Sequence, residues 1–283
     1  MKKLVFIGAG SMAEAIMAGI IENKLIKSEQ IWITNRSNQQ KLDQLKKTYG
    51  VNGSYHYEEL FADADAVILA MKPKDAGVAI GKIKSFLNKE ILVISVLAGI
   101  SIETIEAAAG KPLAVARTMP NTSAAVNQSA TAIAVNTRVT SEQKQLAKDL
   151  FDTVGFTAFV EVNQLDAVTG VSGSGPAYIY YLVEAVEKSA ADIGLEPKLA
   201  KDLFIQTLLG AATMLATSEK SPQQLRTEVT SPGGTTEAGI SMLQQHEVQQ
   251  AFISCIKAAT AHSEQMGKVL STELNTIKQP LKL

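Results

Sequence analysis

The sequence predicts an α/β domain built on a mainly parallel sheet, followed by an all-helical domain. Three observations carry that prediction. Short apolar runs alternate with helix-like stretches up to about residue 160. Those runs are continuous in Val, Ile and Leu, as in strands covered on both faces, and do not alternate with polar residues. Beyond about residue 161 the strand signal disappears, and only helices broken by Gly and Pro remain. The first domain is therefore drawn over 1–161 and the second over 162–283. A length of 283 residues agrees with two domains, at roughly 150 residues each.

In chain order, residues 4–7 form the first strand, and glycines lead into a helix over 12–22. A strand over 30–34 precedes a charged amphipathic helix over 38–49. A buried strand over 66–71 is stopped by Pro73. Helices are expected over 75–87 and 102–109, and strands over 91–96 and 113–116. A strand over 130–135, a helix over 141–153 and a strand over 156–160 complete the series. From residue 164 the helices break at Gly173-Ser174-Gly175-Pro176, Gly194, Ser221-Pro222 and Ser231-Pro232-Gly233-Gly234. Residues 204–215 and 251–261 are apolar on more than one face, which suits helices buried between partners.

Composition excludes several classes. Hydrophobic residues make up 46% and charged residues 19%, enough for a large core and incompatible with disorder. A mean hydropathy of +0.08 with few aromatics means an aliphatic chain, which favours a buried subunit interface. Lys and Arg number 27 against 28 Asp and Glu, so no global positive field serves nucleic acid or an anionic membrane. The longest strongly apolar run, 91–100, falls short of the roughly 20 residues of a bilayer span. Lys2-Lys3 before the first apolar run resembles a signal-peptide start, but the run is short and passes into Gly8-Ala9-Gly10 with no cleavage-like end. The single cysteine, Cys255, excludes an intrachain disulfide and a multi-cysteine metal site. A soluble protein of the reducing cytoplasm is expected. Cys255 itself reads as core packing.

Gly8-Ala9-Gly10-Ser11-Met12-Ala13 matches G-x-G-x-x-A between a strand and a helix. The first glycine allows a tight turn, the second lets backbone approach a pyrophosphate, and the small Ala13 lets helix pack on strand. Free N–H groups at the helix start would meet the phosphates. An ordinary strand–turn–helix is the bland alternative. The flanking elements favour a Rossmann-type dinucleotide site that includes Ile7, Gly8, Gly10, Ser11 and Met12, with Ala70 on the neighbouring strand. Strand two ends in Thr34-Asn35-Arg36-Ser37 with no acid to hold a ribose 2′-hydroxyl. Arg36 can pair with a 2′-phosphate, and Asn35 and Ser37 can donate, so NADPH is expected over NADH. Arg36 as a mere solvated charge is the competing reading. Lys72-Pro73 either lies beside the cofactor or simply starts a helix.

Arg117-Thr118-Met119-Pro120-Asn121-Thr122, Gly173-Ser174-Gly175-Pro176-Ala177-Tyr178 and Val229-Thr230-Ser231-Pro232-Gly233-Gly234-Thr235-Thr236 follow in that order. Together with the glycine loop they resemble pyrroline-5-carboxylate reductases over nearly the whole chain. The resemblance implies that Thr236 hydrogen-bonds the imine nitrogen and assists its protonation, and that Ser231 and Thr235 help to hold the substrate. From the residues alone, a turn at Ser231–Gly234 opening a helix at Thr235 presents backbone N–H groups of Gly233, Gly234 and the threonines to a carboxylate. An ordinary capped helix is the alternative. Asn121 is placed at the substrate. Val96-Leu97-Ala98 and Met119-Pro120 are placed near the nicotinamide, at the carboxyl edge of the sheet.

Absent residues argue as well. A ketone reductase normally needs a strong acid close by, whereas an imine can react already protonated. Gly170-x-x-Gly173-x-Gly175 echoes the 3-hydroxyacid dehydrogenases, yet Ile179 stands where their lysine belongs. The three histidines show no ligand or triad spacing, Asp63 and Asp65 read as loop residues, and no metal is expected. The aromatics Tyr178, Tyr180 and Tyr181 read as interior or interface packing, with Tyr178 close to the cleft. Two features depart from the family: Ser123 follows Met-Pro-Asn-Thr in place of Pro, and His56-Tyr57 stands where an Asn often contacts cofactor. The expected reaction is reduction of 1-pyrroline-5-carboxylate to proline, completing proline synthesis, by a homodimer or a larger homo-oligomer. A related cyclic-imine reductase and a non-catalytic NADPH-binding sensor are the alternatives.

Overall fold

The computed structural model describes residues 1–276. It opens with strand β1 (Leu4–Ile7), helix α1 (Ser11–Glu22), β2 (Ile31–Thr34) and α2 (Gln39–Tyr49). There follow β3 (Asn52–Gly53), α3 (Tyr57–Phe61), β4 (Ala66–Leu69), α4 (Ala76–Ile83), β5 (Leu92–Ser95) and α5 (Ile102–Ala109). Strands β6 (Ala114–Met119) and β7 (Ser129–Val135), helix α6 (Ser141–Asp152) and strand β8 (Gly155–Phe159) come next. The rest is α7 (Leu165–Val168), α8 (Gly175–Ala190), α9 (Pro197–Thr217), α10 (Pro222–Glu228), α11 (Thr235–Gln245) and α12 (Val248–Thr276).

The strands form one sheet in the order β3-β2-β1-β4-β5-β6-β7-β8. Neighbours run parallel except β6 and β7. A 3-10 turn over Thr122–Val126 joins those two, and a link without a crossover helix returns the chain antiparallel. Side chains alternate between two cores. Leu4, Phe6, Ile31, Ile33 and Ile68 meet α1 and α6 on one face, while Val5, Ile7, Val67, Leu69 and Val93 meet α4 and α5 on the other. Burial on both faces is why these strands read as unbroken apolar runs. Helix ends follow local chemistry. The Asn38 side chain accepts the Lys41 N–H at the start of α2, and Gly50 ends that helix in the left-handed region.

Two short elements escaped the sequence reading. Strand β3 has two residues, both poor strand formers, and pairs only with β2. Helix α3 has five, too few for a periodic signal. The expected glycine break before α8 is a single bend at Ser174, preceded by a π-turn over Thr169–Gly173.

The chain divides into two compact units, residues 1–174 with the chain from residue 258 onward, and residues 175–257. The last strand among the described residues ends at Phe159, and the compact units are divided at Ser174 and inside α12. In the first unit the later part of α12 is seated closely. A Cβ on Gly267 would lie 2.8 Å from the Gly99 carbonyl oxygen. Ser263 donates to Asp166 Oδ1 at 2.6 Å, and the Thr104 and Ser271 hydroxyls are 2.7 Å apart.

In the second unit, Tyr178 packs edge-on against Phe252, with ring centroids 5.7 Å apart. Much of its apolar surface stays uncovered by the chain itself, including Tyr180, Tyr181, Leu203, Leu209 and Met214. Cys255 is exposed and does not pack in a core. Helix α9 is long and apolar enough to cross a membrane by length and composition, with mean hydropathy 1.3, although almost none of it is buried. Lys201, Asp202 and Gln206 interrupt its apolar pattern.

Candidate active site

Strand order β2-β1-β4 makes the β1/β4 boundary the point where connections leave in opposite directions, and ligands bind in the crevice outside the carboxyl ends there. A cavity of about 240 Å³ lies at that edge, and Ile7, Gly8, Asn35 and Arg36 are among its lining residues. Gly8 has φ +116, and a Cβ there would lie 2.5 Å from the Ala70 carbonyl carbon and oxygen. Its N–H donates to Thr34 O at 2.9 Å. Glycine is thus required at this position by the protein itself.

Gly10 differs. It is the N-cap of α1 with φ −80, and a Cβ there would meet no protein atom within 4 Å. Nothing among the described residues demands glycine at position 10, so the requirement fits a group that approaches from outside. Ala13 is fully buried in the sheet–helix packing. Glu14, an acid in the first turn of α1, is neutralised by Lys41 Nζ at 2.6 Å, which leaves the helix start open to an anion. Burial, reinforced by Glu14, pushes the neighbouring Tyr49 hydroxyl up from its usual pKa.

At the end of β2, Asn35 folds back on its own chain, accepting the Asn38 N–H and donating to Asn38 O, each at 2.7 Å. Its Oδ1 also accepts the Tyr55 hydroxyl at 3.0 Å. Asn35 therefore shapes the turn, and its amide offers less to a ligand than the sequence suggests. Arg36 and Ser37 are exposed. The opposite wall, missed by the sequence reading, comes from Asp75, Val78, Ala79 and Lys82. Their spacing is that of one helix face, and that was the available signal.

Lys72 and Pro73 open a 3-10 turn that ends at Asp75, and they line a separate cavity with His262 and Met266. Val96, Leu97 and Ala98 run off the end of β5, where the Val96 N–H donates to Leu69 O. Met119 closes β6, and its side chain lies against Gly173, where a Cβ would stand 2.7 Å from Met119 Cε. Asn121 has its side chain committed. Its Oδ1 accepts the Ser123 N–H at 3.1 Å, and its Nδ2 donates to Ser172 O at 3.0 Å. Arg117 is buried, and loss of water pushes its guanidinium pKa down, opposed by Asp166 and Glu103.

In the second unit, Gly233 has φ +71 and α11 starts at Thr235. The sequence predicts free N–H groups at both glycines, and both are bonded. Gly233 donates to Glu237 Oε2 at 2.7 Å, and Gly234 donates to Ser231 O at 3.0 Å. The backbone N–H groups of Thr235 and Thr236, in the first turn, keep no acceptor among the described residues. Their hydroxyls differ from those of threonines further along helices. Thr207, Thr213 and Thr227 each donate to the carbonyl four residues back, a bond that needs a preceding helical turn. Thr235 and Thr236 have no such turn, so two N–H groups and two hydroxyls at one helix start keep no hydrogen-bond partner among the described residues.

Comparison with known proteins decides the family. The chain is 49% identical over 266 residues to pyrroline-5-carboxylate reductase 2 of Bacillus subtilis, covering 94% of this chain and 95% of that protein. The chain belongs to the pyrroline-5-carboxylate reductase family. Residues 162–266 match the family model described as pyrroline-5-carboxylate reductase dimerisation, and residues 3–99 match one described as NADP oxidoreductase, coenzyme F420-dependent. Among solved structures, a pyrroline-5-carboxylate reductase from Coxiella burnetii superposes with a TM-score of 0.87 at 37% identity, covering 94% of this chain and 98% of that one. The Plasmodium falciparum pyrroline carboxylate reductase with NADP bound gives 0.85 at 30% identity, with the same coverage. Membership makes this chain an oxidoreductase with an NADP-type N-terminal region.

Proposed function

We propose that this chain reduces 1-pyrroline-5-carboxylate to proline with NADPH, as the last step of proline biosynthesis. Identity of 49% over almost the full length to a protein of that name carries the reading. The unpaired donors at the start of α11 support it from the chain's own chemistry.

The residues present fit a dinucleotide. Gly8 and Gly10 make the turn and the open approach for a pyrophosphate, and the first N–H groups of α1, from Ser11 and Met12, face it. Arg36 and Ser37, with no acid at the end of β2, suit a 2′-phosphate, and the exposed Val78 offers an apolar face to the adenine end. When bound, the reduced nicotinamide supplies a hydride to the imine carbon. The Thr236 hydroxyl hydrogen-bonds the imine nitrogen and helps deliver its proton. Thr235, Ser231 and the first N–H groups of α11 hold the carboxylate. Val96, Leu97, Ala98, Met119 and Pro120, at the carboxyl ends of β5 and β6, would hold the nicotinamide, and Asn121 stiffens the turn after β6 through its bonds to Ser123 and Ser172. Lys72 and Pro73 would stand beside the cofactor's ribose or phosphates. A homodimer is the minimal unit, with the uncovered apolar helices of the second unit, α9 included, buried against a second copy. Residence in the cytoplasm belongs to the same proposal.

The test follows NADPH absorbance with 1-pyrroline-5-carboxylate and measures proline formed. Stoichiometric oxidation and proline are expected. Folded protein that binds NADPH but does not oxidise it with this imine overturns the function.

The cofactor assignment has its own test. Replacing Arg36 with Glu removes a charge-assisted partner and should weaken NADPH roughly tenfold or more, with NADH changed far less. Equal losses for the two cofactors sink the 2′-phosphate assignment.

A further inference from the structure

Asp75 occupies an unusual place for an acid in a site that binds a polyanion. It stands at the N-cap of α4, where Asp normally accepts an N–H from the first turn, yet its carboxylate makes no capping bond. It points instead at Arg36, with Asp75 Oδ1 3.9 Å from Arg36 Nη1. Both residues line the same cavity, together with Lys82 and Val78. Arg36 is almost fully solvated at 86% exposure, whereas Asp75 is 39% exposed. The arginine is thus free to move and the acid is the more anchored partner.

We propose that Asp75 is a specificity-determining residue that competes with the cofactor's 2′-phosphate for Arg36, and so holds the preference for NADPH over NADH below what Arg36 would give alone. This rests on the reading of Arg36 as the 2′-phosphate partner. The physics is one of like charges. A phosphate seated on Arg36 brings nearly two negative charges beside a carboxylate that already satisfies the arginine. NADH, with a neutral 2′-hydroxyl, pays no such repulsion and leaves the Arg36–Asp75 pair undisturbed. In a solvated, salt-screened setting one such charge is worth about three- to tenfold in affinity.

The test titrates NADPH and NADH against the oligomeric protein by the cofactor's fluorescence, for wild type, Asp75→Asn and Arg36→Gln. Asn keeps the shape and capping chemistry of Asp, and a thermal melt checks that the fold is retained. For Asp75→Asn the ratio of NADPH to NADH affinity is expected to rise about threefold or more at low ionic strength. The gain should shrink towards unity near 1 M salt. An unchanged ratio, or a fall because Asp75 was holding Arg36 in place for the phosphate, overturns the proposal. Arg36→Gln separates the two readings. If it weakens both cofactors equally, the Arg36 assignment itself has failed. If it weakens NADPH selectively while Asp75→Asn leaves the ratio unchanged, only the role of Asp75 has failed.

Discussion

Thr236→Ala is expected to lower kcat about a hundredfold, the usual scale for losing a positioned proton donor, while leaving NADPH affinity and thermal stability near wild type. The structure separates these effects. The Thr236 hydroxyl makes no hydrogen bond among the described residues, so its removal orphans nothing within the chain. The cofactor cavity belongs to the first unit and Thr236 to the second. Equal losses in kcat and in kcat/KM for the imine, with NADPH affinity unchanged, would mark an interaction made with the reacting imine in the transition state. Thr236→Ser restores a hydroxyl and should recover most of the rate. If Thr236→Ala turns over like wild type, the proton reaches the ring nitrogen another way and the carboxylate-holding role of the helix start stands alone.

The paired glycine variants make the second large prediction. Gly8→Ala forces a left-handed φ on a residue with a Cβ and drives that Cβ into the Ala70 carbonyl. Strain and overpacking together cost on the order of 3 kcal/mol. Tm should fall by roughly 6–12 °C at that cost. Gly10→Ala has an ordinary φ and meets no protein atom, so its Tm should match wild type. Its Cβ would nevertheless occupy the approach of the pyrophosphate, and NADPH affinity should drop at least tenfold, as for overpacking of a close contact. A Gly10→Ala protein that binds NADPH as well as wild type would show that the pyrophosphate does not lie there. Thermal melts with and without NADPH read both outcomes from the same samples.

Strand and helix alternation up to Phe159, the glycine loop at 8–13 and the helical remainder are written locally. Each is a matter of periodicity, turn chemistry or continuous apolar character over a few residues, and a reader of the sequence meets all the relevant atoms in one window. The family motifs are local in the same sense. Asn121 and the glycines at 233 and 234 show where local reading stops. Their residue types promise donors for a ligand, but Ser172, 51 residues away, takes the Asn121 amide, and Glu237 and Ser231 take the two glycine N–H groups through the particular geometry of the turn.

Contacts between distant positions left no mark in any window. Asp75 meets Arg36 across the cavity mouth because β2 and β4 both flank β1, an order that parallel crossovers produce and that strand sequences alone do not state. Gly267 abuts Gly99, and Ser263 bonds Asp166, only because α12 returns to the first unit after the chain has built the second. Cys255 looked like core from its apolar neighbours and proved exposed, since a helix's periodicity tells which face is apolar but not what covers it. By itself the sequence determined the class of the longer elements, the glycine turn and the family resemblance. The tertiary structure alone decided which polar groups remain free and which charges face one another, because hydrogen bonds and Coulomb interactions act through space over a few ångströms, whatever the separation along the chain.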